Sequence, residues 1–170
     1  MRIGLISDTH GLLRPEALAF LAGSDHIVHG GDIGNPEILE RLAAIAPLTV
    51  VRGNNDTAAW AKTIPHTARI APGGVPVYVV HDLKELDLDP PAAGLRVVVS
   101  GHSHKPACVE RGGVLYVNPG SAGRRRFSLP IAAGELLIDN GQVAARLVTL
   151  APPGIHGLAC AALPSHYQTR

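Results

Sequence analysis

Residues 2–10 read RIGLISDTH, a short apolar run that stops on two metal-capable side chains, Asp8 and His10. The same pattern recurs twice. HIVHGGD (26–32) ends on Asp32, and LTVVRGNND (48–56) carries Asn54, Asn55 and Asp56 just past its apolar part. Between these runs lie Arg14–Ala22 and Pro36–Ala46, whose apolar residues (Leu18 and Leu21; Ile38, Leu42 and Ile45) recur at three- or four-residue steps, as one face of a helix requires. Pro15 and Pro36 suit a first helical turn, and Gly23 suits a helix stop. The first half therefore reads β-α-β-α-β, which implies parallel strands joined by right-handed crossovers.

Working outward, further strands are expected at Val75–Val80, Arg96–Ser100, Val114–Val117, Ala133–Ile138 and Val143–Leu150, eight in all with Arg2–Ser7, His26–Val28 and Leu48–Arg52. This second part has little helical pattern and turns at Gly112-Gly113 and Asn140-Gly141, so antiparallel strands are expected there. Leu83–Pro91 reads as a loop with at most one helical turn. From Ala151 the chain has three prolines and no clean period, which predicts one domain over residues 1–150 and an irregular tail over 151–170.

Composition narrows the function. The chain has 170 residues, 46% hydrophobic and 17% charged, enough for one core. No apolar run approaches the roughly 18 residues that span a bilayer, and no leader pattern follows Ile3–Ile6, so a soluble, cytoplasmic protein without a membrane partner is expected. A net charge of +1 and 4% aromatic residues argue against nucleic-acid polymers as partners. The two cysteines, Cys108 and Cys160, are too few for a disulfide framework and read as buried small hydrophobes in a reducing compartment.

Nine histidines are the unusual feature, and their positions carry the chemistry. His81 follows VPVYVV, and His102 and His104 follow VVVSG. With Asp8, His10, Asp32 and Asn54, seven ligand-type groups end five strands. In an α/β sheet the loops at the carboxyl ends of parallel strands share one crevice. Residues two apart in extended chain point the same way, which aims both members of Asp8-x-His10 and of His102-x-His104 into it. The mixture of imidazole, carboxylate and carboxamide suits manganese, iron, zinc, nickel or cobalt better than magnesium or calcium. Two ions sharing a carboxylate would use all seven groups, and such pairs clamp in-line phosphoryl displacement. Gly31, Gly53 and Gly101 are expected where the backbone turns tightly or passes close to the ions. Strand-end capping would explain any one of these residues, but not the set.

The ordered set D8-T-H10, G31-D32, G53-N54-N55-D56, H81 and G101-H102-S103-H104 resembles the calcineurin-like metallophosphoesterases over residues 3 to about 121. The short length and N118-P-G-S121 are similar to its small single-domain phosphodiesterase branch. The resemblance implies a four-layer α/β/β/α sandwich of two mixed sheets. It implies two divalent transition-metal ions, manganese foremost, with Asp8, His10, Asp32 and His104 at the first and Asp32, Asn54, His81 and His102 at the second. Asp32 would bridge, and a metal-bridging hydroxide would attack a small phosphodiester in line. Asp32, Asn54, Asn55 and His102 are then the expected catalytic residues.

Two positions depart from the family pattern. Asn55 stands where phosphomonoesterase members carry a proton-donating His, which favours diesters over monoesters. Asp82 stands where the small branch commonly has Gly, either orienting an imidazole or opening the loop, and leaves His81 the least secure ligand. The alternatives are a phosphomonoesterase and a catalytically weak scaffold of the same fold. Asp56 reads as a supporting carboxylate, His29 as a partly buried strand histidine, and His26, His66, His156 and His166 as residues outside the site. Arg52 reads as a strand-flanking, solvent-facing arginine. Arg124-Arg125-Arg126 reads as a solvated basic loop, with a substrate phosphate or the neighbouring subunit of a homo-oligomer as its other uses.

Overall fold

Alternate residues of the first strand, β1 (Arg2–Ile6), serve two different cores. Ile3 and Leu5 enter one apolar layer and Ile6 another. Gly4 has no side chain because the space is taken: a Cβ there would lie 2.5 Å from Leu21 Cδ2. Leu21 belongs to helix α1 (Pro15–Leu21), which with α2 (Pro36–Ala43) covers this face of the sheet through Ala17, Phe20, Ile38 and Leu42. Both helices begin on proline. Asn35 caps the second by accepting a hydrogen bond from Glu37 N.

The computed structural model describes residues 1–151 and 154–158. Strands β2 (His26–His29), β3 (Leu48–Val50), β9 (Ala132–Asp139), β10 (Gln142–Ala151) and β11 (Gly154–Leu158) join β1 in a six-stranded sheet of order β11-β10-β9-β1-β2-β3. The second sheet has five strands, β4 (Thr67–Ile70), β5 (Val77–Val80), β6 (Val97–Val99), β7 (Ala107–Arg111) and β8 (Val114–Asn118), in the order β4-β5-β6-β8-β7. The two sheets pack on each other through Ile3, Leu5, Val77, Val79, Val97 and Val99. On the outer face of the second sheet Tyr78, Val80 and Val98 are covered by Leu86, Leu88 and Leu95, from a loop that opens with the 3₁₀ turn Leu83–Glu85. The four-layer order is the expected one, with both sheets mixed and with a loop as the outer layer over the second.

Three expectations are corrected. The second part is not wholly antiparallel, because β5, β6 and β8 run parallel, connected by the 83–95 loop and by β7. Among the described residues there are eleven strands, not eight. The additional ones, β4, β7 and β11, lie at sheet edges, where ladder hydrogen bonds from one neighbour hold residues such as Arg69, Glu110 and Arg111 that lack a strand's apolar alternation. Finally, Gly154–Leu158 is not irregular, since it pairs antiparallel with β10. The rest of the tail reading, with Cys160 and His166, falls outside the described residues, as does the His156 side chain. Cys108 packs half-buried against the inter-sheet core.

Glu135 of β9 is a charged group buried within a strand, 2% exposed, with Arg2 Nε at 2.5 Å and Arg146 Nε at 2.6 Å. Burial alone would raise its carboxyl, but the two guanidinium groups outweigh burial and hold it below the usual carboxylate range. It therefore stays ionised to a lower pH in the folded chain than in the unfolded one. That stabilisation is present above the unfolded pKa and is lost as pH falls through the folded pKa. Glu135→Ala should cost about 3 kcal/mol, the low end for a broken buried pair, because Arg146 reaches water. The deficit, read by urea unfolding, should be full at pH 7 and shrink on acidification below the ordinary carboxylate range.

Candidate metal centre

β1, β2, β3, β5 and β6 all end at the same edge of the sandwich, and the seven expected ligands follow them there. The structure brings all seven together. His10 Nε2 and His104 Nε2 are 3.2 Å apart, and Asp8 Oδ1 is 3.2 Å from His104 Nε2 and 3.9 Å from His10 Nε2. Asp32 Oδ2 lies 3.7 Å from His10 Nε2 and 3.5 Å from His81 Nε2, so it faces both halves of the cluster. Asn54 Oδ1 lies 3.0 Å from His81 Nε2 and 2.9 Å from His102 Nδ1. Ligand atoms about 2.1 Å from one ion stand about 3.0–3.4 Å from each other, and four of these distances, at 2.9–3.2 Å, come within about 0.1 Å of that spacing, the other three being 3.5–3.9 Å. Two triads close tightly enough to hold a cation, Asp8-His10-His104 and Asp8-Asp32-His81. Asp8 thus shares with Asp32 the central position that the sequence reading gave to Asp32 alone.

The proton inventory tests whether a cation fits. His81 Nδ1 donates to the Gly30 carbonyl at 2.7 Å, so in the neutral ring Nε2 is a bare lone pair. That lone pair faces Asp32 Oδ2 and Asn54 Oδ1, which are acceptors as well. Asp8 is the same case. Its Oδ2 accepts from Ser7 Oγ and His102 N, whereas Oδ1 is buried and accepts no hydrogen bond. Acceptors facing acceptors in a buried site need a positive charge between them. In the protein alone a proton takes that place: burial lowers His81, but Asp32 and the Gly30 carbonyl outweigh it and push it up to about 9. Burial would raise Asp32, but hydrogen bonds from His81 and Asn55 hold it far below the carboxylate range. His10 lies below its ordinary value because its burial outweighs the carboxylates of Asp32 and Asp8.

The backbone is bent to make this convergence. Asp8, His10, Asp32, His102 and His104 all have positive φ, between 45° and 64°. Each such non-glycine residue costs about 1–3 kcal/mol, strain that persists only where surrounding contacts impose it. Gly53 shows how little room remains, since a Cβ there would lie 2.1 Å from Asp32 Oδ1.

The supporting residues were only partly visible in the sequence. Asp56, 3% exposed, accepts from the backbone N–H groups of Ile33, Gly34 and Gly53, and so ties the Asp32 loop to the Asn54 loop. Asn118 Nδ2 donates to Gly101 O and Ser103 Oγ, and Ser121 Oγ donates to Asp8 O, which gives the Asn-Pro-Gly-Ser segment its purpose. Asn55 grips Asp32 with both its backbone N–H (2.8 Å) and its Nδ2 (2.6 Å). Asp82 does not approach His81; its Oδ2 lies 3.4 Å from His102 Nε2. His29 is fully buried rather than partly so. Its Nδ1 accepts from Gly31 N, and because Thr9 Oγ1 gives its proton to Ile33 O, Nε2 donates to Thr9 Oγ1. Away from the cluster, His26 pairs with Thr49 Oγ1 and His66 with Arg52.

The model of the calcineurin-like phosphoesterase superfamily domain matches residues 1–141. The chain belongs to this superfamily. It is 32% identical over 166 residues to a probable metallophosphoesterase of Methanothermobacter thermautotrophicus, covering 90% of this chain and 95% of that one. Two solved structures share the fold. Vacuolar Protein Sorting 29 from Cryptosporidium parvum superposes with a TM-score of 0.80 at 19% identity, covering 92% of this chain and 95% of its own. YfcE, a phosphoesterase from E. coli, does so with a TM-score of 0.72 at 24% identity, covering 96% and 100%. As a metallophosphoesterase the chain has a site suited to divalent ions, and among the described residues no helix is long and apolar enough to cross a membrane.

His29 provides a test of how firmly this edge is held. Burial outweighs the pull of Asp8 and Asp56 and holds its imidazole down at about 4, against 6.5 ordinarily. The unfolded chain therefore takes up a proton near pH 6.5 that the folded chain refuses. Stability is fully present above pH 6.5 and falls between there and about pH 4, by roughly 3 kcal/mol. Denaturant titrations of the chelator-treated protein should show this slope, and His29→Gln should flatten it.

Proposed function

We propose that this chain is a phosphodiesterase built on two divalent transition-metal ions, manganese foremost, with residues 1–150 as its catalytic domain. Asp8, His10, Asp32 and His104 would hold one ion, and Asp32, Asn54, His81 and His102 the other. The observation that carries the reading is the convergence of ligand-type atoms of seven side chains, from five strand ends, at 2.9–3.9 Å, with His81 Nε2 and Asp8 Oδ1 left without a proton among acceptors. When bound, such ions polarise a phosphoryl oxygen and activate water as the nucleophile.

The chain's own groups then divide the work. Asp32 remains ionised at any physiological pH and faces both halves of the cluster. His102 is 41% exposed at its side chain, against 0–17% for Asp8, His10, Asp32, His81 and His104, and so forms the edge that substrate meets first. Beside it Leu83, Ser103, Lys105 and Tyr116 help line a cavity of about 140 Å³. That is well below the roughly 300 Å³ of a typical full ligand pocket and has room for one ring-sized ester arm.

Diester preference rests on Asn55. Its amide is engaged on Asp32 and has no acidic proton to give a leaving group. Asp56 supplies none either, because its carboxylate is occupied by three backbone N–H donors. A positioned general acid contributes about 10²–10⁴-fold, which an alkyl monoester needs and an aryl diester does not. The intact ligand set weighs against the scaffold reading.

Two measurements test this. Metal-reloaded protein should contain two ions per chain by elemental analysis, and Asp32→Ala should lower kcat/KM on bis(p-nitrophenyl) phosphate more than Asn54→Ala, because both ions lose a ligand. Wild type should favour that diester over alkyl monoesters, and Asn55→His should raise the monoester-to-diester ratio of kcat/KM. A protein without bound metal, or one that prefers alkyl monoesters, contradicts the assignment.

A further inference from the structure

We propose that Asp82 is a positioning residue that orients the imidazole of His102 and thereby strengthens one of the two metal sites. The inference rests on the dinuclear reading above.

The two imidazoles His81 and His102 are held in different ways. For His81 the outer nitrogen donates to the Gly30 carbonyl, which leaves the inner one free to bind. His102 has the opposite polarity: Nδ1 faces the cluster, 2.9 Å from Asn54 Oδ1, and Nε2 faces outward. Among the described residues no backbone carbonyl bonds that outer nitrogen. The group facing it is Asp82 Oδ2, at 3.4 Å. A carboxylate is the stronger acceptor of the two, since an ionised partner shortens and strengthens a hydrogen bond. With Nδ1 bound to an ion the proton of the ring must sit on Nε2, and the carboxylate beside it would orient the ring for that ion, as outer partners of metal-bound histidines do.

His102 needs such a partner more than the other ligands. Its side chain is 41% exposed, and its backbone sits at φ 64°. Asp82 is itself anchored, because its other oxygen, Oδ1, accepts from Lys84 N and caps the 3₁₀ turn. One carboxylate thus links the start of the 83–95 loop to the rim of the site.

This double use of Asp82 permits a clean test. Asn at position 82 can still accept from Lys84 N through its carbonyl oxygen but no longer brings a negative charge to His102. Calorimetric titration of chelator-treated wild type and Asp82→Asn with Mn²⁺ should show one of two affinities weakened 10- to 100-fold, the other unchanged, and the same Tm for both metal-free proteins. Asp82→Ala, which removes the cap as well, should lose Tm in addition. If wild type binds two ions and Asp82→Asn binds both as tightly, or if both sites weaken equally, the proposal is overturned. If wild type binds fewer than two ions, the dinuclear reading fails, and Asp82→Asn binding with the wild-type affinity then overturns the proposal as well.

Discussion

Lone pairs that face one another inside a protein repel, and this molecule gathers several of them at one edge. His81 Nε2, Asp32 Oδ2 and Asn54 Oδ1 form one such group, and Asp8 Oδ1 with the two imidazoles of His10 and His104 forms another. Nothing in a hydrophobic sandwich favours this arrangement for its own sake. Desolvated carboxylates cost several kcal/mol each unless compensated, so a cation among them contributes to holding the loops together as well as to chemistry. The raised pKa of His81 is the protein's response when only protons are available.

Holding the loops in place without that cation falls to contacts one layer further out. Five ligands have left-handed backbones, a combined strain of roughly 5–15 kcal/mol at 1–3 per residue. Such strain cannot be sustained by the loops alone. Asp56 locks the second and third strand ends together, Asn118 and Ser121 lock the first and the β6 end, and His29 with Thr9 fills the space behind them. These supports are neutral or fully hydrogen-bonded, which explains why they can be buried where the ligands themselves are uncomfortable.

This division also explains what could be read in the sequence. β1, β2 and the two helices were legible because burial on one face imposes a period, and the period survives in Ile3, Leu5, Leu21 and Leu42. The ligands were legible because each strand end repeats one type of chemistry. Edge strands β4, β7 and β11 were not, since a single neighbour holds them by backbone hydrogen bonds that leave no mark on side-chain order. The parallel course of β5, β6 and β8 was hidden for a related reason: their crossovers are a loop and an edge strand instead of amphipathic helices. Nor could spacing show that His29 is wholly enclosed or that Asp82 turns towards His102, because both depend on which loops meet in space.

The individuality of this chain within its superfamily therefore lies at the rim. Buried ligands are constrained from all sides: Gly53 has no room for a methyl group beside Asp32, and Asp8 has one oxygen committed to Ser7 and His102 N. Asn55, Asn54, His102 and Asp82 are partly exposed, so they can change without rebuilding the sandwich. Asn55 spends its amide on Asp32, and Asp82 turns to the outer nitrogen of His102. Both departures act on expected metal ligands, Asp32 and His102, and not on the fold, and both lie on the solvent-facing side of the cluster. Differences in substrate preference between members of such a superfamily can then arise from two residues while the centre behind them stays constant.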